Sequence, residues 1–181
     1  MGKKIMIVLS ALAAGLFYFP PARAQQAGPV IPAYGKVYSV NNPDIPPGTE
    51  TMLRAVFDVY DNPGRPGDLN PHLETAARFL NLHVQSGFST ANLQVALVVH
   101  GDATEDLLLP EIYREKHGAD SQNARLVREL ISAGVQVTIC GQSAAAREIS
   151  RVQTIPGVKW ALSAMSALVY FQDEGYQFIK F

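Results

Sequence analysis

The chain holds a single cysteine, Cys140, and a thiolate is among the strongest nucleophiles a side chain can supply. Cys140 closes the run Val135-Gln136-Val137-Thr138-Ile139, whose β-branched residues alternate with polar ones and predict a strand. Gly141 breaks that strand, and residues 144–149 have the composition of a short helix that Ser143 can cap. The thiol is therefore expected at a strand-to-helix corner. In open α/β sheets reactive groups gather at the carboxyl ends of strands, where the N-termini of the next helices point inward. Unpaired N–H groups and the positive end of a helix dipole both favour the thiolate. The competing reading is packing alone, because free cysteine is among the most buried residue types.

A second polar cluster, His100-Gly101-Asp102, ends another predicted strand, residues 93–99. If the two strands are neighbours, His100 projects from the same edge as Cys140 and could lower its pKa or shuttle its proton. The candidate site is thus Cys140 with His100, Gly101, Asp102, Gly141, Gln142 and Ser143 around it. Zinc is the next chemistry to weigh, from Cys140, His100, Asp102 and His72. The ligand types suit it, but no pair has a close ligand spacing, and no metal is expected. Ser143 lacks the G-x-S-x-G surround of a hydrolase nucleophile, and no glycine-rich phosphate loop is present, so no cofactor is expected either. Ser163 and the small residues after it would start a helix whose N-terminus points at the same edge and could hold an anion; close helix packing explains them equally well.

The elements that must position these residues can be read in order. Residues 25–50 are rich in proline and lack periodicity, which predicts an extended arm; Ile31, Tyr34, Val37, Tyr38 and Val40 suggest that it lies along the domain or a neighbouring subunit. Residues 52–60 are nearly continuous in apolar character, the mark of a central strand covered on both faces. Asn70-Pro71 opens a helix as cap and first residue, and Leu73, Ala76, Ala77, Leu80 and Val84 line one side of it before Gly87. After the second strand, residues 103–109 predict a helical turn and residues 110–120 a charged connection. Asp120 or Ser121 caps a helix whose Leu126, Val127, Leu130 and Ile131 face the core, ending at Gly134. Beyond the Cys140 corner come a short strand at residues 158–162, the Ser163-capped helix through Glu174, and an alternating terminal strand from Tyr176. This order predicts a three-layer α/β fold: a mainly parallel sheet of about five strands with helices on both faces.

The N-terminus has the layout of a secretory signal peptide: Lys3 and Lys4, an apolar run over residues 5–19, then Ala22-Arg23-Ala24. The run is shorter than the roughly 20 residues a spanning helix needs, so cleavage after Ala24, export to the periplasm and no membrane attachment afterwards are expected. Three segments result: residues 1–24 as signal peptide, 25–50 as arm and 51–181 as the α/β domain. A formal net charge of −1 without a basic stripe argues against nucleic acid as a partner. One cysteine cannot form an internal disulfide, and a free thiol in an oxidising compartment is either sheltered or has a task.

The strand at 95–99 with His100-Gly101, the helix 123–133 with Gly134, the run Val135 to Cys140 and the ending Gly175-Tyr176-Gln177-Phe178-Ile179-Lys180-Phe181 together resemble the DsrE/DsrF-like family. The resemblance extends from about Leu53 to Phe181 and rests on the order of elements and on the cysteine closing its strand. It implies assembly into homo-oligomers, homotrimers or homohexamers. In sulfur-relay members it also implies a persulfide carried on the cysteine that Cys140 matches, with a sulfur donor or acceptor protein as partner. The expected function is then a periplasmic carrier of sulfane sulfur on Cys140, possessing sulfurtransferase character. The alternative is a non-catalytic ligand- or protein-binding module in which Cys140 is structural.

Overall fold

The computed structural model describes residues 24–45 and 48–180. All but the last residue of the expected signal peptide lies outside the described residues. Five strands, β1 (Leu53–Val59), β2 (Leu93–Val99), β3 (Gln136–Cys140), β4 (Lys159–Ala161) and β5 (Gln177–Ile179), form one sheet in the order β4-β3-β2-β1-β5. Every pairing in it is parallel. β1 and β2 pair from Leu53↔Leu93 to Val59↔Val99, and β2 meets β3 from Ala96↔Gln136 to Val99↔Ile139. β2 is buried at every position but one because both of its faces are covered, which explains its unbroken apolar run.

The two faces are covered unequally. Helices α1 (Pro71–Gln85) and α3 (Asn123–Ser132) bury Leu73, Leu80, Leu126 and Leu130 against Phe57, Leu97, Val137 and Ile139. α1 starts as its sequence dictates, with the Asn70 side chain accepting from the His72 N–H at 2.9 Å and Pro71 in the first turn. α5 (Ala164–Asp173) contributes the helical side of the opposite core, a small cluster of Val56, Ala96, Val98, Cys140, Ala164, Ala167, Phe171 and Tyr176. Strand alternation decides which face each β3 side chain meets. Val137 and Ile139 go to the larger core, and Cys140 goes to the α5 side.

Two segments differ from expectation, and a third takes one of the two places open to it. Residues predicted as a charged connection contain helix α2 (Pro110–His117), which buries only Tyr113 and so carries almost no apolar period. The helix after Cys140, α4 (Gly141–Ala146), begins two residues before Ser143, and its N-cap is Cys140 itself. The arm folds back on its own domain: Gln26 and Val37 form an antiparallel bridge, and Ile31 is 1% exposed. Buried Asn81 of α1 holds it there. Its Oδ1 accepts from the N–H groups of Val30 and Ile31 at 3.1 and 2.9 Å, and its Nδ2 donates to the carbonyls of Ile31, Tyr34 and Gly35. No helix among the described residues is long and apolar enough to cross a membrane.

Candidate functional site

The carboxyl end of β3 brings Cys140 under the start of α5 and into the first turn of α4. The Cys140 Sγ accepts from the Ser143 N–H at 3.5 Å. Burial pushes this thiol up, but the Ser143 hydroxyl and the N–H groups of Ser143, Ala164 and Gln142 outweigh it, and the pKa lies below the ordinary cysteine value. Donors from two helices thus converge on one sulfur. The side chain is only 4% exposed, so the thiolate that these donors favour is also sheltered.

Two glycines let the surrounding chain approach closely. A Cβ on Gly141 would lie 2.6 Å from the Ala161 carbonyl oxygen, so β3 can turn into α4 beside the end of β4 only with glycine there. Gly101 has φ +57°, and a Cβ on it would lie 2.5 Å from the Tyr60 carbonyl oxygen. Its N–H donates to the Ser143 Oγ at 3.1 Å, which leaves the Ser143 hydroxyl proton for the sulfur. Ser143 therefore ties the 3₁₀ segment Gly101–Leu107, which continues from β2, to the Cys140 corner. Asp102 makes a second tie, accepting from Arg147 just past α4 at 2.7 Å. Gln142 Nε2 donates to the Leu162 carbonyl at 3.4 Å.

His100 is placed differently. β2 and β3 are neighbours, and one further step in their register sets His100 beside Cys140. Its imidazole, however, turns toward β1, where Nε2 meets the buried Asp58 Oδ1 at 2.7 Å and the ring packs edge-on against Tyr60. Lys180 Nζ reaches the other Asp58 oxygen at 3.0 Å. The geometry thus makes a His100–Asp58–Lys180 group across β2, β1 and the residue after β5, with no hydrogen bond from His100 to the thiol. Asp58 and Lys180 were not anticipated, although an acidic residue inside the apolar run of β1 was a legible signal. The Ala164 N–H lies at the expected N-terminus after Ser163, pointing at this edge, and the group it meets there is the Cys140 sulfur.

The four residues weighed for zinc do not assemble. His72 pairs with Asp61 at 3.5 Å, Asp102 with Arg147, and His100 with Asp58. Among the described residues no three histidine, cysteine or acidic side chains are grouped to hold a metal ion.

The model of the DsrE/DsrF-like family matches residues 54–181. The chain belongs to the DsrE/DsrF-like family. Membership points to sulfur relay in general. No curated protein matches the chain. Two solved structures share the fold. The ychN protein from E. coli is 22% identical with a TM-score of 0.54, covering 72% of this chain and 100% of its own. A protein of unknown function from Methanobacterium thermoautotrophicum, MTH1491, is 20% identical with a TM-score of 0.53, covering 71% of this chain and 98% of its own.

Proposed function

We propose that this DsrE/DsrF-like protein carries sulfane sulfur as a persulfide on Cys140 and hands it to a partner in the periplasm. The observation that carries the reading is the thiol at the N-cap of α4, where donors from α4 and from the first residue of α5 favour its thiolate despite burial. The thiolate attacks the outer sulfur of a persulfide or polysulfide donor, the donor's S–S bond breaks, and its thiolate leaves with the bonding electrons. An acceptor thiolate then attacks the outer sulfur of Cys140–S–SH and releases the Cys140 thiolate. Sulfur moves with no net oxidation. The same donors that favour the thiolate make it a good leaving group in the second step. Incubation with polysulfide and then intact mass measurement tests this: wild type gains sulfur increments and Cys140→Ser does not. No adduct on wild type, or an equal one on the variant, overturns it.

A second reading has an observation of its own. The 4% exposure of Cys140 suits a packing residue in a ligand- or protein-binding module. Native thiol labelling separates the two. Rapid labelling that persists below pH 8 supports the carrier, and labelling only after unfolding supports the module.

A further inference from the structure

On the α5 side of the sheet a groove of about 260 Å³ runs between α5 and the β3–β4 edge. Its walls include Ala161, Ala167, Tyr170 and Phe171, with Thr138 and Lys159 among the polar groups. Thr138 is 4% exposed, and its hydroxyl oxygen is buried with no hydrogen-bond partner among the described residues. A buried hydroxyl left unpaired costs stability that a valine in the same volume would not. Such a group lining an open groove is accounted for if a ligand completes it. Lys159 Nζ lies at the strand-start end of the groove, held by Gln136 Oε1 at 2.8 Å, and no carboxylate pairs with it among the described residues.

The groove leads toward the sulfur. Along β3, Thr138 and Gln136 stand two and four residues before Cys140, roughly 7 and 13 Å at the rise of a strand. Between groove and thiol stand Ala161, the register partner of Cys140, and Ala167, which packs in the same cluster. Both end at a methyl group, so little bulk separates an occupant of the groove from Sγ. The start of α5 already points its Ala164 N–H at that sulfur. An occupant with a carboxylate at Lys159, a polar group at Thr138 and a sulfur at Cys140 matches the groove from end to end.

We infer that this groove binds a small carboxylate-bearing thiol of di- or tripeptide size, which receives the sulfane sulfur from Cys140. The inference rests on the persulfide reading for its chemistry and on the groove for its ligand. Cys140–S–SH gives its outer sulfur to the bound thiolate, forming R–S–SH and restoring the Cys140 thiolate. The proton that the incoming thiol lost passes to solvent or to the released Cys140 thiolate, and nothing is oxidised overall.

Glutathione and its thioether S-methylglutathione are the probes. The heat of binding, read by isothermal titration calorimetry, reports occupancy without any sulfur chemistry. S-methylglutathione is expected to give a saturable heat on titration. Lys159→Gln should raise the Kd about tenfold, the loss of a charged hydrogen bond. Thr138→Val should raise it about fivefold, the loss of a neutral one, while leaving Tm unchanged or higher. If Thr138 only packs, the valine variant binds as wild type does, and the assignment of its hydroxyl is overturned. On protein loaded with sulfur, discharge by glutathione should saturate with a KM raised in both variants, whereas discharge by 2-mercaptoethanol, which has no carboxylate, should be the same in all three proteins. No saturable heat of binding, or discharge linear in glutathione and indifferent to Lys159→Gln, overturns the subsite. Failure of Cys140 to load, read by intact mass before any thiol is added, overturns the sulfur-carrier reading instead, and the calorimetric titration still decides the groove.

Discussion

At the residue scale, the reactivity of Cys140 depends on a competition between burial and hydrogen-bond donation. A sulfur that is 4% exposed resists ionisation, and this one is drawn below its usual pKa because donors from α4 and α5 surround it. Ser143 is the strongest of them, since it offers both its hydroxyl and its N–H. Its hydroxyl is free to donate because its lone pair is occupied by the Gly101 N–H at 3.1 Å. Ser143→Ala should therefore move the midpoint of the Cys140 alkylation profile upward and slow alkylation at neutral pH by about tenfold, the worth of one hydrogen bond to a charged group. Ser143→Thr, which keeps the hydroxyl, should retain the rate. Iodoacetamide kinetics against pH check both. Equal profiles for wild type and Ser143→Ala would mean that the N–H groups alone set the thiol.

At the element scale, the parts of the fold with strong periodicity were legible and the parts built from backbone or polar contacts were not. β1, β2, the Asn70-Pro71 start of α1 and the Ser163 cap of α5 stand where their patterns put them. α2 escaped because one buried residue, Tyr113, leaves no stripe to detect. Gly141 reads as a breaker in sequence, yet it opens α4, because the demand for a glycine there comes from the Ala161 carbonyl of a distant strand. The Cys140 corner was legible; the turn of His100 toward Asp58 was not, since it depends on a rotamer choice between two neighbouring strands. The loop after β1 gives a similar lesson. Asp106, 3% exposed, joins that loop to α1 and α3 by accepting from Asn70 at 2.7 Å, Asn123 at 2.9 Å and Asn62 at 3.2 Å. Burial raises its pKa, the three amides pull the other way without cancelling it, and Glu105 adds to the rise. The native state then holds a proton that the unfolded chain releases. Its contribution to stability is fully present below the ordinary carboxylate pKa and is lost as pH rises through the raised native value. Denaturation midpoints of wild type and Asp106→Asn against pH should diverge over that window, with a slope difference of at most about 1.4 kcal/mol per pH unit. Parallel curves would place the buried group's titration outside the accessible range and remove the linkage.

At the scale of the whole molecule, the unequal cover of the sheet sets what the surface can do. The apolar and aromatic groups outside the central strands fall into two sets. Ile31 and Tyr34 pack on the chain's own core, and Phe171 and Tyr176 are buried under α5. The apolar groups left outside are concentrated on and beside α5: Leu162 is 78% exposed, Met165 76%, Val169 58% and Tyr170 58%. Met165 and Val169 are four apart and share one side of the helix, with Tyr170 beside Val169 and Leu162 just before the cap, and an apolar helix side of this kind is favoured at subunit contacts. The stripe begins at Leu162, whose carbonyl holds Gln142, and so it starts beside the Cys140 corner. Assembly through it would cover the site's outer wall and supply the shelter from solvent that a persulfide requires. We expect a homotrimer or homohexamer, with Met165→Glu and Val169→Lys each lowering the assembly state. Neither side chain belongs to either core cluster, so both variants should fold as wild type does. Light scattering at micromolar concentration, with circular dichroism as the control for folding, measures this. A wild-type mass of one chain overturns assembly; an oligomer that survives both charges moves the contact to another surface, where Ile45, Val152 and Val40 at 91%, 83% and 66% exposure are further apolar groups.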